Sequence, residues 1–157
     1  MNSHEASLKG EYIRILNAED AGKARRTAEK SFMSENEITE IIIGCAIKIH
    51  KTLGPGLLES AYEECLNYEL KKTLLEIERQ KPLPLVYEEI KLECGYRLDL
   101  VADNKVIVEI KAVEELNDIH LAQILTYLKL SKCKVGLLIN FNETKLIDGV
   151  RRVVNKY

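Results

Sequence analysis

Two short runs, Tyr96-Arg97-Leu98-Asp99-Leu100-Val101 and Val106-Ile107-Val108-Glu109-Ile110-Lys111, constrain the fold of this chain more than any other feature. Both alternate with period two, and Asp103-Asn104 between them is turn chemistry, so the pattern predicts a single β-hairpin. Folding about that turn sets Asp99 nearly opposite Glu109, with cross-strand Cβ atoms about 5 Å apart, close enough for two carboxylates to share one hard cation. Lys111 lies two positions beyond Glu109 and so shares its face of the strand. Charged residues alternating with aliphatics are ordinarily the solvated face of a half-buried sheet. Here, however, Val106 to Ile110 is almost wholly apolar, as in a strand covered on both sides. A Glu and a Lys in such a strand are costly unless they pair or bind something.

The remaining pattern supplies partners for the hairpin. Residues 1–32 are polar, charged and weakly periodic, an appendage expected to be dispensable for folding of a domain over 33–157, with Met33 as a workable start. Ser34 and Glu37 have capping-box spacing, and Ile38, Ile41, Ile42, Cys45 and Ile49 form the apolar stripe of a helix over about 35–52. Leu53-Gly54-Pro55-Gly56 breaks it. Leu57, Leu58, Ala61, Tyr62, Cys65 and Leu66 predict the apolar side of a second helix running to about Lys72. Pro82 and Pro84 introduce a strand near Leu85 to Glu88, and Ile90 to Glu93 leads through Cys94-Gly95 into the hairpin. From Asn117 to about Leu130, Ile119, Ala122, Leu125 and Leu128 have helical spacing, and Lys134 to Asn140 reads as a buried strand. Strand, strand, helix, strand predicts an α/β fold in which a helical crossover extends a mixed sheet, with helices preceding it.

At 157 residues the chain suits one core-forming domain after its appendage. No apolar run approaches the roughly 20 residues of a membrane span, and residues 2–30 lack the apolar centre of a secretory signal, so a cytoplasmic protein with no membrane partner is expected. Cys45, Cys65, Cys94 and Cys133 are scattered, which argues against zinc or iron–sulfur ligation and for free thiols. A formal net charge of -2 leaves nucleic-acid binding to local patches such as Lys129, Lys132 and Lys134, or Arg151, Arg152 and Lys156. The same acidic balance is compatible with a protein partner or a homo-oligomer.

Gln123 and Tyr127 share one helix face and can project together toward the hairpin. Asp99, Glu109-Ile110-Lys111 and Gln123 with Tyr127 resemble the signature of the PD-(D/E)xK nuclease superfamily. Gly56-Leu57-Leu58-Glu59-Ser60-Ala61-Tyr62 has the form GxxExxY. With His50 to Gly56, Glu78-Arg79-Gln80 and Leu137 to Asn142, it is similar to the bacterial and archaeal GxxExxY proteins, a PD-(D/E)xK-like family, over about residues 34–155. One departure is Leu98, which stands where the motif ordinarily has Pro.

The resemblance implies a restriction-endonuclease-like core and a metal-dependent nuclease that hydrolyses DNA phosphodiesters with a metal-activated water. Asp99, Glu109 and the Ile110 carbonyl would bind Mg²⁺ or Mn²⁺, and Glu59 would complete the shell directly or through water. Lys111 would orient the water or stabilise phosphorane charge, while Gln123 and Tyr127 would contact backbone phosphate. His50 stands lowest among the candidates, since a His at a helix end commonly satisfies a carbonyl. The competing reading is a catalytically idle module of the same fold that binds nucleic acid or a protein.

Overall fold

The computed structural model describes residues 20–22, 33–92 and 95–156. Apart from a helical turn at 20–22, the expected appendage lies outside the described residues, as do Glu93 and Cys94. In the unit Ser34–Tyr157, helix α1 (Glu35–Leu53) begins on the expected capping box. The Ser34 hydroxyl accepts from the Glu37 amide at 3.3 Å, and the Glu37 carboxylate accepts from the Ser34 amide at 2.7 Å. Ile38, Ile42, Ala46 and Ile49 are buried, so one stripe of α1 faces the core.

Gly54, at φ 69°, ends α1, and helix α2 (Glu59–Leu70) starts after a short loop. Tyr62 clasps that loop from beneath. Its ring is fully buried and stacked on Phe141 with centroids 4.3 Å apart, while its hydroxyl donates to the Gly54 carbonyl at 2.7 Å and accepts from the Leu57 amide at 3.1 Å. Gly56 takes φ 99° inside the clasp, a conformation strained for any residue with a Cβ. Leu57 and Leu58, expected on the apolar side of the helix, instead precede it and are exposed, because the clasp delays the helix to Glu59.

The main sheet has five strands among the described residues. The hairpin is β4 (Arg97–Ala102) and β5 (Val106–Lys111), with Asp103 at φ 49° and Asn104 at φ 54°, the left-handed pair that a type I′ turn requires. Strand β6 (Val135–Asn140) runs parallel to β5 after the crossover helix α3 (Asp118–Ser131). Two antiparallel edge strands, β1 (Ile77–Pro82) on β4 and β7 (Val150–Val154) on β6, complete it. A separate ribbon pairs β2 (Leu85–Tyr87) with β3 (Ile90–Leu92). The fold is therefore the expected mixed sheet flanked by helices.

The seating of α3 differs from its sequence periodicity. Ile124, Tyr127 and Leu128 are buried, whereas Ile119 and Leu125 are exposed. Gly136 on β6 explains the rotation: a Cβ there would meet Ile124 Cδ1 at 2.8 Å and Leu128 Cδ1 at 3.4 Å, so the bare glycine admits this face of the helix. Cys45, Cys65 and Cys133 are free thiols. Among the described residues no helix is long and apolar enough to cross a membrane.

Candidate active site

The register Leu100↔Val108 and Val101↔Ile107 carries the hairpin toward Asp99 and Glu109 as the next opposed pair. Asp99 is held to the neighbouring strand, its Oδ2 accepting from the Ile110 amide at 2.9 Å. Glu109 is only 4% exposed. Its Oε1 accepts from Lys111 Nζ at 2.8 Å, while its Oε2 is buried with no hydrogen-bond partner among the described residues. The backbone beyond Lys111 is pinned by β6: the Phe141 amide donates to the Lys111 carbonyl at 2.8 Å, and the buried Asn140 side chain bonds both the amide and the carbonyl of Val113.

Burial and crowding of like charge set the protonation of this pair. Burial raises the Asp99 pKa, the Ile110 amide opposes it, and the carboxylates of Glu63 and Glu59 raise it further. Burial and then the field of Asp99 push Glu109 to about 7, despite the hydrogen bond and charge of Lys111. For Lys111, burial opposes the charge, but the Glu109 hydrogen bond and the surrounding carboxylates outweigh it, so its pKa lies above the ordinary value. Lys111 is therefore a cation at neutral pH. The neighbouring acids are accordingly held toward their protonated forms while no other cation joins them.

Helix α2 closes one side of the site. Glu59, its first residue, accepts from the Ala112 amide at 3.1 Å, and Glu59, Glu63, Asp99 and Ala112 line a cleft of about 550 Å³. Among the described residues no three His, Cys, Asp or Glu side chains are grouped closely enough to hold an ion. Engagement with Ala112 holds the Glu59 carboxylate.

Two residues beside Asp99 have no role that the sequence assigned. Glu63, buried one turn after Glu59, accepts from Arg79 Nε at 2.6 Å and from Gln80 Nε2 at 2.8 Å, and that same Gln80 nitrogen reaches Asp99 Oδ1 at 3.5 Å. Gln80 takes φ 51° inside β1, a strained value for a residue with a side chain, and its amide stands between the two acids. The helical spacing of Glu59 and Glu63 was the available signal for the first; for the second, the run Glu78-Arg79-Gln80 contributes to the GxxExxY resemblance but assigns Gln80 no role.

On α3, Gln123 Nε2 donates to the Tyr127 hydroxyl at 2.8 Å. Burial raises the Tyr127 pKa, the Gln123 bond opposes this, and Glu109 raises it again, so the phenol stands within the field of the acidic pair. His50 is placed elsewhere. It is buried at the end of α1 with Nε2 on the Glu143 carbonyl at 2.7 Å, and it does not line the cleft.

A mixed sheet flanked by helices thus carries Asp99 on one hairpin strand and Glu109-Ile110-Lys111 on the next. The chain matches the family model of the PD-(D/E)XK nuclease superfamily over residues 36–153, and it belongs to that superfamily. Nucleases of this superfamily generally use divalent metal ions, and the superfamily implies a nucleic-acid substrate. No curated protein and no solved structure matches the chain.

Proposed function

We propose that this protein is a cytoplasmic, divalent-cation-dependent nuclease that hydrolyses DNA phosphodiester bonds, and that within its superfamily it belongs with the GxxExxY proteins. The observation that carries the reading is the Asp99–Glu109 pair, with Glu109 buried, one of its oxygens unpartnered among the described residues, and Lys111 alongside. An orphaned carboxylate oxygen, and acids whose ionised forms are disfavoured by burial and mutual repulsion, are what a hard cation satisfies, so the donor set fits Mg²⁺ or Mn²⁺. Asp99, Glu109 and the Ile110 carbonyl would hold it, with Glu59 from the cleft wall. When bound, the ion supplies positive charge to the phosphate and lowers the pKa of water.

The protein groups divide the remaining work. The Ile110 amide fixes Asp99, and Glu109 fixes the Lys111 ammonium, so neither side chain must reorganise as charge gathers on the phosphoryl oxygens. Lys111 offers its remaining N–H donors to those oxygens or to the attacking water. Gln123 and Tyr127 offer an amide and a hydroxyl to the adjoining backbone phosphate. The clasp of Tyr62 on Gly54 and Leu57 sets where α2 begins, which places Glu59 against Ala112. The test is cleavage of labelled single-stranded and duplex DNA with Mg²⁺ or Mn²⁺. Asp99→Asn should abolish it, and a wild type inert on every strand form would instead leave a binding module.

A further inference from the structure

Beside the acidic pair lies a groove of about 290 Å³ lined by Leu85, Tyr96, Ile119, Gln123 and Tyr127 among others. Its α3 wall includes Ile119, which stands exposed because the helix seats Ile124 and Leu128 over Gly136. Tyr96 is 46% exposed, and its ring meets Tyr127 edge-on with centroids 6.4 Å apart, so the groove runs into the Gln123–Tyr127 pair. The other side of Tyr96 borders a second notch, of about 370 Å³, that holds Lys91 and Arg97. Both cations are exposed, and neither forms an ion pair among the described residues.

We propose that this groove takes an unstacked base of a single-stranded nucleic acid, with Tyr96 as the stacking platform and Lys91 and Arg97 on the adjacent phosphates. The inference rests on the nuclease reading of the adjoining site and names its substrate class. An aromatic face between an apolar groove and exposed cations complements a strand whose bases are apolar plates on an anionic backbone. A duplex does not offer that plate, since its base faces are covered by their neighbours. In a protein whose net charge is -2, these two cations beside Tyr96 offset the general repulsion of phosphate.

The test measures binding of labelled 20-nucleotide single-stranded DNA, single-stranded RNA and the DNA duplex in EDTA, with cleavage followed separately in Mn²⁺. Single strands should bind more tightly than duplex, with the DNA and RNA arms deciding between the two chemistries. Tyr96→Ala should weaken single-strand binding about ten- to hundredfold, and Tyr96→Trp should retain it. Replacing Lys91 and Arg97 together by Ala should lower the slope of log K against log salt by about 1.4, roughly 0.7 for each lost phosphate contact. Preference for duplex, or single-strand binding indifferent to Tyr96→Ala, overturns the proposal. If the wild type cleaves while Tyr96 is indifferent, the groove falls and the nuclease reading stands. Tyr96-dependent binding with no cleavage in Mn²⁺ does the reverse.

Discussion

Glu59 opens helix α2 and bonds the amide of Ala112, the residue that follows Lys111, across a gap of 53 positions in sequence. The contact joins the GxxExxY segment to the end of the strand that carries Glu109. It also separates two roles for Glu59. Glu59→Gln keeps an acceptor for Ala112 but removes the charge, whereas Glu59→Ala removes both. If the charge helps hold the cation, both variants should lose cleavage with little change in Tm, because the side chain is exposed. Full activity in Glu59→Gln would reduce the residue to a positioning role.

Removing the Tyr62 hydroxyl tests the clasp. Tyr62→Phe preserves the stack on Phe141 but leaves the Gly54 carbonyl and the Leu57 amide without their partner. The expected cost is about 1–2 kcal/mol, a fall in Tm of a few degrees. Cleavage should drop as well, since the position of Glu59 depends on where α2 starts. An unchanged Tm in thermal denaturation would show that solvent replaces both bonds.

Stability of the cation-free protein should depend on pH through Glu109. Its folded pKa, about 7, exceeds the ordinary 4.5, so between these values the folded state keeps a proton that the unfolded chain has lost. Stability is therefore fully present below 4.5 and lost as pH rises through 7, by on the order of 3 kcal/mol. Asp99, also raised, works in the same direction. Glu37 and Glu69 are lowered, so their contribution is lost only at more acid pH. In EDTA the protein should melt at a higher temperature at pH 5.5 than at pH 8, and Glu109→Gln should flatten the difference.

A bound cation should reverse that trend, because it displaces the protons that the acids otherwise retain. Mn²⁺ should raise Tm more at pH 8 than at pH 5.5. Asp99→Asn should remove the rise; a rise that persists in this variant would put the ion elsewhere.

The central strands were legible because burial on both faces writes a continuous apolar run, as in Val106 to Ile110 and Val135 to Ile139, and because Asp103-Asn104 encodes its own turn. Neither edge strand was legible. β1 spells Ile-Glu-Arg-Gln-Lys-Pro and β7 carries Arg151 and Arg152, since a strand with one neighbour keeps solvated, charged positions. With β1 the sequence hid the placement of Gln80, whose amide reaches both Glu63 and Asp99. Periodicity located α3 but not its rotation, which depends on Gly136, a residue of a different element. The proposed dispensability of residues 1–32 has its own check: a chain beginning at Met33 should melt cooperatively near the full-length temperature, and a loss of several degrees would show that the segment docks.

Lys111 is the most direct test of the proposed chemistry. Its ammonium is held by Glu109 at 2.8 Å before any substrate arrives, and its charge matters most when charge develops on the phosphate. Lys111→Met should bind labelled single-stranded DNA about as well as the wild type in EDTA, yet cleave it roughly 10²–10³-fold more slowly in Mn²⁺, the loss typical of one electrostatic stabiliser. Cleavage by Lys111→Met at the wild-type rate would contradict the assignment of the active site to this hairpin.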